Sequence, residues 1–428
     1  MQLRVYMVKN MASKLINAGY EAFIQRSTKQ TIKISRNNVY ITTEYIEGMS
    51  VRNLSGKHKK IVCTSAKGIS EINNYIHKLA QYDRPIMLVE KPKITSHHNC
   101  NNYTEKHHKI INIIKKLELS FDLYLINYND NIEIINNRGI NNKNKNYFLL
   151  CANLNNSANN FFVLNLDKNL NDNISTLFIK NEELKRFSVI KIDTGTFDII
   201  FTEAAAAIFF HELFGHMLEA DKNVIYVKDF LEKLQTQTVL DTSLNIYDID
   251  LLGKNGEMID DEGTRKNYTI LINKGRFVSF INDFFSKDSN KAKIPTGNSR
   301  RFSYMYYPQP RPFCTVVSNG NIKLTSLISS VTNGFLIKHI ISAYLDKRNN
   351  FVYFNICNAI RIKNGLLLEE MSSFTTKIDI WHLLTNISNR SDDKKEYSFF
   401  CNASSGILHA QAIAPSILIR NVTLKPRG

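Results

Sequence analysis

The segment FFHELFGHMLEAD, Phe209–Asp221, places two imidazoles and a carboxylate close together: His211, Glu212 and His216. Imidazole is a good zinc ligand, and a carboxylate beside it can take a proton from a water that attacks a carbonyl carbon. The spacing is the difficulty. On a regular helix, positions i and i+4 differ by about 40° and share a face, whereas i and i+5 differ by about 140°. His211 and His216 are five residues apart. They can meet one ion only where the helix makes a wide turn with i→i+5 bonding, or breaks. Gly215 gives the backbone room for such a turn. A catalytic zinc site also needs a third protein ligand. Spacing alone leaves Glu219, Asp221 or a distant Cys or His as candidates. The competing reading is a buried helix whose histidines are hydrogen-bonded and whose Glu212 forms a structural ion pair.

The elements around the motif follow from the residue pattern. The run from Phe187 reads as a strand, a turn at Thr194–Gly195, and a long helix that carries the motif. Many short β-runs follow, including NYTILINKGRFVSFIND, PFCTVVSNGN and GILHAQAIAPSILIRNVTL, separated by Gly and Asn. Before Phe187, helical periodicity covers 8–19, 68–82 and 105–119. Residues 20–56 read as β-runs broken at RNN and at EGM, and residues 121–139 and 146–167 as further strands. Residues 91–106, KPKITSHHNCNNYTEK, read as a polar loop. The expectation is an α+β protein in two parts: an α/β domain over 1–186, then a β-rich domain over 187–428.

Bulk properties bound the function classes. A chain of 428 residues with 43% hydrophobic and 22% charged residues has an ordinary globular composition. No apolar run is long enough to span a bilayer, and the start lacks a compact apolar signal core. Cytoplasmic location without membrane contact is the expectation. Cys63, Cys100, Cys151, Cys314, Cys357 and Cys401 show no CxxC spacing, which argues for reduced thiols. The net charge of +16 invites a nucleic-acid reading. The basic residues are dispersed through a Lys-, Asn- and Ile-rich chain, so specific nucleic-acid binding is not expected. His97, His98, His107 and His108 read as exposed side chains.

HELFGHMLEAD resembles the HExxxHxxE(G/A)D signature of the TldD/PmbA family of metallopeptidases. Further segments follow in that family's order: IDDEGT at Ile259–Thr264, the strand pair LINKGRFVSFIND, TGNSRRFSYMYYPQPRP at Thr296–Pro312, and the terminal block from Cys401. The resemblance implies an N-terminal α/β domain and a C-terminal domain built on a strongly curved β-sheet with a metal-bearing helix. It implies one Zn²⁺ per chain on His211, His216 and Cys401, with Glu212 as the catalytic glutamate. Small or unfolded peptides are the implied substrates. The implied assembly is a dimer, either of identical chains or with a PmbA-type subunit lacking the metal motif. Glu219 matches the family's second glutamate and is expected to orient a ligand or brace the helix. Arg300, Arg301 and Tyr304 are candidate contacts for substrate carbonyl or carboxylate groups. Two alternatives remain: a nucleic-acid-associated regulator of the gyrase-modulator type, and a non-catalytic partner of the same fold. The sequence departs from the family pattern at Arg265, at Asn402, in HAQAIAPS, and in GFLIKHIISAYLDKRNN, where the family has a Gly-rich segment.

Overall fold

The computed structural model describes residues 19–35, 38–54, 61–65, 86–88, 93–98, 111–112, 122–153, 161–165, 194–220, 232, 240–251, 259–266, 268–289, 294–371 and 374–427. The three helices expected before residue 120 fall almost wholly outside these residues, as do Asp221 and the expected 186/187 boundary. What is described is mostly β-sheet with few helices.

Long antiparallel ribbons build the N-terminal half. Tyr20–Ser35 pairs along its whole length with Asn38–Asn53, and on its other edge with Asp122–Asn136, which in turn pairs with Gly139–Asn153. Ile32 lies opposite Ile41 on one side and Leu125 on the other, and all three are buried. That is the period-two alternation of a sheet with one face on the core.

Three sequence readings are corrected here. EGM does not interrupt its strand. A Cβ at Gly48 would lie 2.3 Å from Cζ of Tyr304, so the glycine seats that ring rather than ending the strand. The polar stretch read as a loop contains the strand Lys93–His98, which pairs with Tyr40–Tyr45. Pairing to an open strand edge outweighs polar composition there. After Thr194 the chain first forms a strand, Gly195–Phe201, and becomes helical only at Glu203.

A 14-stranded sheet joins the two halves of the chain. Its N-terminal ribbons end at Phe161–Asn165, which meets Lys395–Ala403 through Val163 and Ser398. The sheet continues through Gly406–Ala414, then Cys314–Val317 in parallel, then Ile246–Ile249. An 8-stranded sheet places Gly195–Phe201 between Asn333–Asp346 and Ile417–Leu424. The family's Gly-rich segment is thus a long strand in this chain. The helix Glu203–Phe210 packs against strands of both sheets. Its sequence EAAAAIFF suits that position: Ala204–Ala207 let both sheets approach, and a helix apolar on all sides is a buried one.

The acidic turn Asp260–Glu262, which composition suggests is solvated, is fully buried and ties the two halves together. Asp260 accepts from the backbone N–H groups of Glu262, Thr264 and Ser299, so it shapes the turn itself. Asp261 Oδ1 lies 2.9 Å from Lys143 Nζ and 2.8 Å from Lys145 Nζ, while Oδ2 accepts from Arg301 N–H. Glu262 Oε1 lies 2.6 Å from Arg52 Nη2, and Arg52 is also bidentate to Glu21. Burial alone raises the Asp261 carboxyl, but Lys143 and Lys145 outweigh it and hold the group well below the usual carboxylate range.

Asp261→Asn should therefore cost about 3–5 kcal/mol, because it leaves two ammonium groups without their anion. The stabilisation from ionised Asp261 is complete above the ordinary carboxylate value of about 4 and declines as pH falls below it. Urea unfolding at several pH values checks both parts. A parent-like midpoint at neutral pH would remove the clamp from this account.

Candidate metal centre

The motif helix does not stay regular. After Phe210 the chain continues as a π-helical turn over His211–His216. The wide turn brings the two imidazole centroids to 4.8 Å with planes 83° apart. Thus the five-residue spacing produces one cluster rather than two opposed faces. Gly215 is packed where a Cβ would lie 3.1 Å from Pro312 Cγ and 3.2 Å from Thr315 Oγ1. On the other faces Phe210 stacks on Phe214, and the His211 ring meets Phe399 edge-on at 4.6 Å.

Cys401 comes from the hairpin Lys395–Ala403 and Gly406–Ala414, where Cys401 lies opposite Leu408. The turn closes at Gly406, whose φ of +98° is strained for any residue with a Cβ. One ligand atom from each of His211, His216 and Cys401 can be chosen so that all lie within 4.8 Å of one another. His216 Nε2 is 2.8 Å from Cys401 Sγ, and His216 Nδ1 donates to Glu219 Oε1 at 2.7 Å. With Nδ1–H committed to the carboxylate, the Nε2 lone pair is directed into the cluster. Among the described residues, neither ring nitrogen of His211 finds a hydrogen-bond partner of ordinary geometry, although the ring is buried. A buried imidazole without hydrogen bonds is costly in an apolar wall and is what a metal ligand looks like. A His₂Cys donor set suits zinc.

Local charges act on both partners of the Cys401–His216 contact. Burial raises the Cys401 thiol, but His216, Arg311 and His211 outweigh it and hold it well below the usual thiol range. Burial lowers His216, but Cys401, Glu219 and Glu212 outweigh it and raise the imidazole well above its usual value. Glu212 is half-buried beside the cluster, and burial raises its carboxyl against the pull of His216 and His211.

The other residues singled out in the sequence lie elsewhere. Arg300 donates to the carbonyls of Pro312 and His409 and stacks over Phe313 at 4.2 Å. It lines a cleft with Lys143, Lys145, Tyr128 and Tyr147. Arg301 is buried, bonds Ser50 Oγ and the Asp261 carbonyl, and lies 3.7 Å over the Phe23 ring. Tyr304 is buried against Gly48, and its carbonyl accepts from Cys63 Sγ. The structure therefore gathers His211, Glu212, His216, Glu219 and Cys401, and puts Arg300, Arg301 and Tyr304 into the joint between the halves. Arg311 is the residue the sequence reading missed: Nη2 lies 2.8 Å from Cys401 Sγ. Only its place in PQPRP, among segments shared with the family, pointed to it.

Residues 194–426 match the family profile described as the PmbA/TldA metallopeptidase C-terminal domain. The chain belongs to the TldD/PmbA family. Among curated TldD/PmbA relatives, the metalloprotease TldD homolog of Buchnera aphidicola (subsp. Acyrthosiphon pisum) is 27% identical over 234 residues, 54% of this chain and 48% of that protein. The zinc metalloprotease TldD homolog of Saccharolobus solfataricus is 24% identical over 231 residues, 53% of this chain and 51% of that protein. The chain thus spans about half the length of the curated relatives it matches. Similar solved structures include TldE from Thermococcus kodakarensis, with a TM-score of 0.71 at 16% identity, covering 98% of this chain and 99% of that one. A proposed modulator of a DNA gyrase from Thermotoga maritima gives 0.70 at 15% identity, covering 98% of this chain and 100% of that one. At such identities the likeness concerns the fold.

In this TldD/PmbA chain, the contact at Gly215 predicts that Gly215→Val pushes the π turn off Pro312. Overpacking of this kind costs about 1–3 kcal/mol. It should also separate His216 from Cys401, so thermal unfolding and zinc titration should both deteriorate. Parent-like zinc binding in a folded Val variant would show that the tight contact does not hold the turn.

Proposed function

We propose that this chain is a zinc-dependent metallopeptidase that hydrolyses peptide bonds of small or unfolded peptides. The observation that carries the reading is the convergence of His211, His216 and Cys401, with the nitrogens of His211 left for a ligand role. Membership in the family and the names of the TldD relatives support it.

His211, His216 and Cys401 hold one ion, and Glu219 fixes the His216 tautomer through Nδ1–H. A bound zinc ion supplies Lewis acidity to a water molecule or to the scissile carbonyl. Glu212, adjacent to His211 on the wide turn, takes the proton of the attacking water at its carboxylate and returns it to the leaving amine. Phe399, edge-on to the His211 ring, supplies an apolar wall on that side of the cluster. A dimer, either of identical chains or with a PmbA-type subunit lacking the metal motif, and a cytoplasmic location complete the proposal. Among the described residues, no helix is long and apolar enough to cross a membrane.

Elemental analysis of the purified protein should find near one zinc per chain, and much less in Cys401→Ala. Absence of bound zinc in the parent, after zinc is supplied, would overturn the reading. Glu212→Ala should keep its zinc and lose cleavage of an unfolded peptide by about 10²–10⁴-fold, the usual contribution of a general base. Full activity in that variant would remove Glu212 from the mechanism. Salt-sensitive DNA binding indifferent to Glu212→Ala, without peptidase activity in the parent, would favour the nucleic-acid-associated alternative.

A further inference from the structure

We infer that Arg311 is a positioning residue of the metal centre, a guanidinium that fixes the Cys401 thiolate as a ligand and moderates its electron donation. The inference rests on the zinc reading above. Its basis is a set of contacts around one side chain that is 1% exposed. Arg311 Nη2 donates to Cys401 Sγ at 2.8 Å and to the Cys401 carbonyl at 2.7 Å. Nη1 donates to Ser405 Oγ at 2.9 Å and to the Gly406 carbonyl at 3.2 Å. One planar fork therefore spans the hairpin that carries the ligand, from Cys401 to its turn. Nε faces Glu219 Oε1 at 4.0 Å, and Glu219 is the acceptor of His216 Nδ1–H. Arg311, Cys401, His216 and Glu219 form a closed ring of contacts around the cluster.

The backbone of Arg311 is itself fixed. Its N–H donates to the Asn298 carbonyl, and its carbonyl accepts from Asn298 Nδ2, which also donates to buried Asp248. Such a rigid mount is unnecessary for a side chain that only fills space.

The charge argument points the same way. A buried guanidinium is costly unless an anion meets it. Among the described residues, Cys401 Sγ at 2.8 Å and Glu219 Oε1 at 4.0 Å meet it, and with zinc bound the sulfur would be an anion. Lysine cannot substitute, because a single ammonium cannot reach the sulfur and both ends of the hairpin at once. A hydrogen bond to a ligand thiolate withdraws charge from the sulfur, so less is donated to the metal. That electronic effect alone would weaken binding; the gain comes from holding Sγ in place, and outer partners that orient a ligand typically contribute 10–100-fold to metal affinity.

The test uses the full chain with zinc and with cobalt as a coloured substitute. Arg311→Met should bind zinc about 10–100-fold more weakly in chelator competition, yet still at one ion per chain. In its cobalt form, the thiolate-to-metal charge-transfer band should move to lower energy, because the sulfur has lost its hydrogen-bond donor. A residue that merely braces the hairpin would not move that band. Ser405→Ala serves as the control: it removes one bracing bond and should leave the band in place. Arg311→Lys is measured the same way if the Met variant does not fold, and should fall between parent and Met.

Parent-like affinity and an unmoved band in a folded Arg311 variant would overturn the inference while leaving the zinc reading intact. No metal uptake by the parent, or uptake unaffected by Cys401→Ala, would instead bring down the zinc reading, and this inference with it.

Discussion

A helix enclosed on every side cannot rotate to rescue a misplaced side chain, so the wide turn at His211–His216 decides whether the site exists. Residues before, within and after that turn are locked into one core: Ala205–Ala207, Phe209, Phe210, Leu213, Phe214, Met217 and Leu218. Each regular residue adds about 100° of rotation. Continuing without the extra residue would therefore turn His216 away from His211 and shift every apolar side chain beyond it. The turn and the core are one solution to a single register. Gly215, lying against Pro312 and Thr315, is the point where that solution touches the neighbouring strand.

Two electrostatic systems lie on either side of the segment 296–313. At one end Asp260, Asp261 and Glu262 bind Ser299, Arg301, Lys143, Lys145 and Arg52. At the other end Arg311 reaches Cys401. Asn298 links the two through Asp248 and the Arg311 backbone. The division of labour is clear from burial and partners. The acidic turn neutralises cations drawn from the N-terminal ribbons, whereas the cluster at the π turn gathers donors that prefer a metal.

The sequence made some of this legible and hid the rest for identifiable reasons. His211, Glu212 and His216 were visible because their residue types are rare in an apolar run, and the five-residue gap stated its own geometric condition. Cys401 could not be found from spacing, since nothing local marks a residue on a distant strand as a neighbour of the two histidines; only the family pattern pointed to it. Strands at 20–35 and 122–136 were read as β-runs, whereas 38–53 was expected to break at EGM and the 140–145 part of 139–153 was not singled out. Lys93–His98 was not read as a strand, because its order comes from a partner strand rather than from its own composition. Arg300, Arg301 and Tyr304 were candidate substrate contacts; the structure buries them, with Arg300 and Arg301 on the wall of a cleft. Burial of an arginine against Glu21, Ser50 and Phe23 has no signature in a single chain.

The single sheet running through both halves has a kinetic consequence. His216 and Cys401 are 185 residues apart in sequence. The hairpin at 395–414 that carries Cys401 pairs in parallel with Cys314–Val317 and, through Ser398 and Val163, with Phe161–Asn165. Contacts of such long loop closure form late and slowly, after their entropy has been met by the rest of the assembly. The chain thus differs from small zinc modules, in which the ion nucleates the fold. Under the zinc proposal, ligands drawn from such distant segments would come together late, so metal uptake would belong to the finished chain, and refolding in the presence of zinc should be no faster than refolding without it.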